Sequence, residues 1–273
     1  MALQLMNFLS WLGKKLSLQR ARVESPRNVP ELLQEAHALL LLQKYDEARA
    51  PLLKAIKSRE SINEPETINY ILMSLGITWI LTDRYDDGIA FFSEYIRNHP
   101  KESVPYRERA SCFWYKGHFQ EAIRDYSQAL ELKPGDILSL SGRGQTLTEA
   151  GDYVRAMPDL NLALVTLKPV SMQNTSWKKW CEEIEAFVHN GKGVALAGLG
   201  AGDSAMAEFE LSIRMSPENA WVYHNRAQVH DRADSLDLAR EDYQKALDMK
   251  NPALSPRRKS HAQARLRELL NHS

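Results

Sequence analysis

Small and large apolar residues recur along this chain in a fixed frame. A small residue is followed twelve positions later by another, in the pairs Ala36/Ala48, Gly76/Gly88, Ala110/Ala122, Gly144/Ala156, Gly193/Ala205 and Ala227/Ala239. Four residues before the first member stand Leu32, Leu72, Tyr106, Leu140, His189 and Tyr223, and three after it Leu39, Trp79, Phe113, Leu147, Leu196 and His230. Four residues after the second member come Leu52, Phe92, Tyr126, Leu160, Phe209 and Tyr243; three further on come Ala55, Tyr95, Ala129, Ala163, Ser212 and Ala246. Offsets of three and four share one helical face, so each unit predicts two amphipathic helices. The breaks between them are rich in Gly, Asp and polar residues, as a helix end followed by a new start requires. Asp46, Asp86, Asp203 and Asp237 are expected to cap the second helices. Pro100, Pro134, Pro169, Pro217 and Pro252 are expected to end them, because proline lacks the N–H and disfavours helix at the residue before it.

The first anchors step by 40, 34, 34, 49 and 34 residues. The longer first step falls in SRESINEPET and predicts a longer loop. The step of 49 carries fifteen extra residues in VSMQNTSWKKWCEEIE. The fifth first helix is therefore expected to start early, near Ser176, and to project beyond the stack. Trp177 and Trp180 would share one of its faces, as an extra binding element or as a cover for exposed core. Pro51 and Pro158 fall inside second helices and are expected to kink them.

This pattern resembles the tetratricopeptide repeat, whose length is 34 residues and whose signature combines aromatic, small and proline positions. Residues 103–136 match best, with Tyr106, Ala110, Phe113, Ala122, Tyr126, Ala129 and Pro134. The resemblance implies an all-α, right-handed superhelical solenoid of helix–turn–helix hairpins, about six repeats long, with a C-terminal capping helix. The organisation expected is an N-terminal amphipathic segment at 1–28 and an array at 29–253. Its repeats lie near 29–62, 69–102, 103–136, 137–170, 186–219 and 220–253, with an insert at 171–185, and the cap follows at 254–273. Ala262, Leu266, Leu269 and Leu270 would face the last repeat. One hairpin cannot bury its own apolar face, so hairpins stack and their core becomes continuous.

Charge and chemistry narrow the function. The net charge is zero, but residues 1–23 and 254–273 each carry +4, leaving an acidic body of −8. Such a body does not offer the clustered positive field that duplex DNA requires, so no DNA partner is expected. The two cysteines, Cys112 and Cys181, lie in apolar helical stretches with no metal-ligand spacing and read as core thiols of a reducing compartment. GKGVALAGLGAGDS lacks the order of a phosphate loop, and Gly193 already serves as a helix contact. The eight histidines form no HExxH or paired motif. No enzyme, metal or cofactor is expected.

The resemblance implies that the first helix of each hairpin lines a concave groove for a protein or peptide partner. Spacing assigns to that groove Arg107, Ser111, Trp114 and Tyr115; Gln145, Thr148 and Glu149; Asn190; and His224, Gln228, Asp231 and Arg232. Some relatives grip a chaperone-tail carboxylate with a lysine–asparagine clamp. Asn190 and Asn225 match asparagine positions, but the lysines are missing, so that activity is not carried over. In the second repeat the same positions are apolar: Met73, Ile77, Ile80 and Leu81. Residues 2–18 place Leu5, Leu9, Leu12 and Leu16 on one stripe with Lys14 and Lys15 following the apolar part. Three readings stay open for them: a cap on the first repeat, a targeting segment, or an interfacial helix that anchors a membrane-associated assembly factor. No run of eighteen apolar residues occurs, and the expected location is cytoplasmic, with peripheral membrane contact only on the last reading.

Overall fold

A computed structural model describes residues 28–173, 178–249 and 256–271; the amphipathic segment at 2–18 lies outside them, as does Pro252. Every regular element among the described residues is helical. The first two hairpins are α1 (Val29–Leu41) with α2 (Tyr45–Lys57) and α3 (Pro65–Leu81) with α4 (Tyr85–Asn98). The next two are α5 (Ser103–Lys116) with α6 (Phe119–Leu132) and α7 (Ile137–Glu149) with α8 (Tyr153–Gln173). Then come α9 (Lys178–Gly198) with α10 (Gly202–Met215), α11 (Ala220–Arg232) with α12 (Leu236–Asp248), and a last helix, α13 (Pro256–Asn271). Each second helix packs on its own first helix and on the first helix of the next pair, which builds the expected solenoid.

The anchors explain the close pairing. The alanine anchors are completely buried, at 0% exposure. A Cβ added to Gly193 would lie 2.6 Å from the Phe209 ring, and one on Gly144 would lie 2.7 Å from Leu160. Larger side chains there would push the helices apart. Seven residues after each first anchor the chain turns through a left-handed residue: Gln43, Asp83, Gly117, Gly151, Gly200 and Asp234. Glycine adopts this conformation freely, whereas an L side chain there costs about 1–2 kcal/mol. The hairpin turn is therefore a backbone device repeated six times, and three of the six positions tolerate strain.

Several expectations change. The cap residues that precede the second helices α2, α4, α10 and α12 are Lys44, Arg84, Ala201 and Ser235, none of which makes a side-chain cap. Asp46, Asp86, Asp203 and Asp237 instead sit in the first turn, where a carboxylate favours the positive helix end. Side-chain caps start three first helices, where Asn28, Asp136 and Asn219 accept from the backbone N–H of Glu31, Ser139 and Trp221, and the second helix α8, where Asp152 accepts from that of Arg155. Pro169 does not end α8, which runs on to Gln173. Pro51 and Pro158 lie within the continuous helices α2 and α8. The extra residues after α2 form a short 3-10 turn at Arg59–Ser61 and an early start of α3 at Pro65, rather than one plain loop. In the long fifth repeat, Trp180, Cys181 and Ile184 are buried at 7%, 1% and 0% exposure, so this part of α9 covers core instead of projecting from it. Trp177 lies outside the described residues. On α13, Ala262 and Leu269 are buried, but Leu270 is exposed.

The core is not uniform along the stack. One apolar cluster runs from Leu32 to Val188, and a second runs from Ala205 to Leu269, with Val194 and Leu196 of α9 packed against it. A third, smaller cluster joins Trp114 and Tyr126 to Phe187.

Candidate interaction site on the inner helical layer

The first helices α3, α5, α7, α9 and α11 contact one another in series and form an inner layer. On α5, the Arg107 guanidinium donates to Glu108 at 2.8 and 2.9 Å and to the Asp136 carboxylate at 3.2 Å. All three groups are buried. Burial alone would raise the Asp136 pKa, but the Arg107 charge and the donors of Ser139 hold it below the ordinary carboxylate value. Burial pushes Glu108 up, and Arg107 offsets only part of that push. The Ser111 hydroxyl lies 3.0 Å from the Tyr126 hydroxyl. Trp114 packs edge-on to Phe187 of α9 at 6.3 Å and against Trp221 of α11 at 5.5 Å. Tyr115 stacks on Tyr85 at 6.1 Å and reaches Trp221 at 6.4 Å. The end of the third repeat's first helix therefore touches the start of the sixth repeat.

A polar ladder continues across the layer. Gln145 donates to Glu149 at 3.4 Å, and the Thr148 hydroxyl donates to the Gln145 carbonyl at 2.7 Å. Asn225 Nδ2 donates to Asn190 Oδ1 at 3.0 Å, while the buried Asn190 Nδ2 finds no acceptor among the described residues. His224 Nε2 lies 3.2 Å from His261 Nδ1 on α13. Burial, with the nearby Arg258 charge, lowers the His224 pKa to about 3 and keeps the ring neutral. Asp231 accepts a two-point contact from Arg265 at 2.7 and 2.9 Å. Glu149 accepts from Arg258, whose guanidinium also sits 4.1 Å from the Trp221 ring centroid.

Of the groove residues expected from spacing, Arg107, Ser111, Trp114, Gln145, Thr148, Asn190 and His224 are buried. They do not line an open channel, because helices two and three repeats apart approach closely enough for their side chains to fill it. Tyr115, Glu149, Gln228 and Asp231 are half-buried, and Arg232 is exposed. In the second repeat, Met73, Ile77 and Ile80 are buried, as their apolar character requires.

Two features escape a groove-by-groove reading. The first is a basic–acidic pair sixteen residues apart, Arg109–Asp125, Arg143–Asp159, Lys192–Glu208 and Arg226–Asp242, at 2.6–2.7 Å. Its basic member immediately precedes the first anchor, and its acidic member follows the second anchor by three, so the frame itself could have disclosed it. The second is the stripe Arg258, His261 and Arg265 on α13, spaced as i, i+3 and i+7. Among the described residues no group of three or more His, Cys, Asp or Glu side chains could hold a metal ion, and no helix is long and apolar enough to cross a membrane. A cleft of about 230 Å³ between α1 and α2, lined by Leu32, Leu39 and Pro51, is smaller than a typical ligand pocket.

Tetratricopeptide repeat models match residues 33–103, 105–136 and 222–252. The chain belongs to the tetratricopeptide repeat family. The alignment covers 98% of this chain and 46% of a chain in the crystal structure of the APC/C hetero-tetramer Cut9–Hcn1, at a TM-score of 0.70 and 17% identity. A tetratricopeptide repeat protein from Parabacteroides merdae aligns with 89% of this chain and 98% of its own, at a TM-score of 0.52 and 17% identity. These likenesses establish the fold. Among curated proteins, DnaJ protein P58IPK homolog A of Oryza sativa subsp. japonica is 34% identical over 73 residues, covering 27% of this chain and 14% of that protein. Hsp70-Hsp90 organizing protein 2 of Arabidopsis thaliana is 28% identical over 82 residues, covering 30% of this chain and 14% of that protein. The aligned stretches thus span about a seventh of the length of these relatives.

Proposed function

We propose that this chain is a non-catalytic protein-interaction scaffold that receives a peptide or helix at the inner helical layer. The observation that carries this reading is the half-buried aromatic pair Tyr115 and Trp221, continuous with the buried Trp114 and Phe187 and linked to Glu149 through Arg258, with Gln228, Asp231 and Arg232 about two to three turns further along α11. Aromatic side chains with arginine and carboxylate neighbours supply contact area and directional hydrogen bonds together, the combination found at interface centres. The likeness to co-chaperone repeats supports the same class of function. The deeply buried members of the groove set, such as Arg107 and Trp114, hold the layer in place, and the accessible members meet the partner.

Affinity capture with the full chain tests this. Tyr115→Ala combined with Arg232→Glu is expected to weaken retention of the captured proteins at least tenfold while leaving helix content unchanged. An identical captured set from the wild type and the double variant overturns the reading.

A further inference from the structure

α13 does more than end the stack. It lies alongside α11 in a parallel register: Arg258 meets Trp221, His261 meets His224, and Arg265 meets Asp231, at sequence separations of 37, 37 and 34. This is the place a seventh first helix would occupy. Its basic stripe lands on residues of the candidate interaction layer, namely Glu149, His224 and Asp231. Arg258 spans two inner helices, pairing with Glu149 of α7 while lying over the Trp221 ring of α11. It therefore covers one side of the aromatic cluster.

α13 joins the second apolar cluster through few side chains, with the partly buried Leu266 beside Ala262 and Leu269, and its remaining contacts are polar. Ala262 and Leu269 are its buried apolar residues among the described side chains, whereas the preceding inner helix α11 buries Ala220, Val222, Tyr223 and Ala227. Residues 256–271 carry Arg257, Arg258, Lys259, Arg265 and Arg267 against the single acid Glu268. The layer opposite supplies the carboxylates of Glu149 and Asp231. A helix held by charge complementarity and little apolar area can be exchanged for another of the same pattern.

We infer that α13 is a resident occupant of the inner layer, and that the external partner is a basic amphipathic helix that displaces it. That helix carries two arginines seven residues apart, about 10.5 Å along its axis, with a small residue between them where Ala262 meets the core. The inference rests on the inner layer being the docking face, and it adds the partner's chemistry and the element the partner must move.

The test uses the full chain and a fluorescein-labelled peptide of residues 256–271, followed by fluorescence anisotropy. In the Arg258→Glu, Arg265→Glu chain the resident helix is repelled, and the free peptide is expected to bind at least tenfold more tightly than to the wild type. Adding Glu149→Arg and Asp231→Arg to that chain is expected to abolish the gain. Circular dichroism confirms that the array stays folded; if the charge reversals unfold it, the neutral pair Arg258→Gln, Arg265→Gln replaces them. A folded variant that binds the peptide no better than the wild type overturns the inference. So does a gain that survives the Glu149 and Asp231 reversals. If the peptide result fails while capture still depends on Tyr115 and Arg232, only the role of α13 falls. If the peptide gain holds while capture ignores those residues, the wider functional reading falls.

Discussion

The second and sixth hairpins share one geometry and hold it by different interactions. In α3, thirteen of seventeen residues are buried, and the positions that carry a basic–acidic pair elsewhere are Leu75 and Phe91. Phe91 lies 5.0 Å from Trp79 and 5.3 Å from Phe92, in an aromatic group that closes the hairpin. In α11 only six of thirteen residues are buried, and Arg226 grips Asp242 through two hydrogen bonds of 2.7 and 2.8 Å. Apolar burial is strong but non-directional, whereas a charged fork fixes orientation and brings a desolvation cost. The same repeat frame thus gives an N-terminal region specified by packing and a C-terminal region specified by polar contacts. Polar contacts can be exchanged for a partner's, which is the reason the docking face proposed above draws on the second region.

The largest effect is expected where packing alone does the work. Phe92 is fully buried at 0% exposure, so Phe92→Ala is expected to cost about 3–5 kcal/mol in urea unfolding followed by circular dichroism. A loss below about 2 kcal/mol would mean that the second hairpin is not the packed anchor described here.

A smaller effect is expected at the fork. Asp242→Ala leaves Arg226, whose side chain is 23% exposed, without its acceptors. Full burial of an unpaired charge costs about 3–5 kcal/mol; partial access to water reduces this to about 2 kcal/mol. Importing the second hairpin's solution, Arg226→Leu with Asp242→Phe, is expected to recover most of that loss, since apolar replacement of an ion pair is often neutral or better. Failure of the double variant to improve on Asp242→Ala would show that the fork sets register that packing cannot replace.

The repeat frame was legible because it depends on local spacing. Anchors twelve apart and large residues at offsets of three and four are fixed by helix geometry, and all of the alanine anchors are fully buried. The filling of the inner layer was not legible in the same way. Trp114 meets Trp221 because of the pitch of the whole superhelix, and no spacing within one repeat encodes a contact across 107 residues. Spacing places Arg107 and Trp114 on first helices, but burial turns them into supports of the layer. Pro169 misled for a related reason. A proline favours a stop, but in α8 the helix continues past it to Gln173, so tertiary context overrides the local signal. The caps failed because the residue after the left-handed turn position is the one that can cap, and Lys44 and Arg84 carry no acceptor there, whereas Asp152 after Gly151 accepts from the Arg155 N–H.

The smallest effect separates the two regions by acid. His224 is 3% exposed and faces Arg258, His261, Asn225 and Tyr243. Burial lowers its pKa from 6.5 to about 3, so in the unfolded chain it takes up a proton at a higher pH than in the folded one. Between these values the unfolded state binds more protons, and stability falls as pH falls. The contribution is fully present above about pH 6.5 and is lost at up to about 1.4 kcal/mol per pH unit below it. Glu208 and Asp136, whose pKa values lie below 4.5 and 3.8, lose their contribution only at lower pH. Lowering the pH from 7 to 5.5 is therefore expected to destabilise the chain by about 1 kcal/mol. Hydrogen exchange should accelerate in α11–α13 and not in α3–α4, and His224→Gln should flatten the dependence. Equal acceleration in both regions would place the sensitive group elsewhere and remove the polar character of the C-terminal layer as the cause.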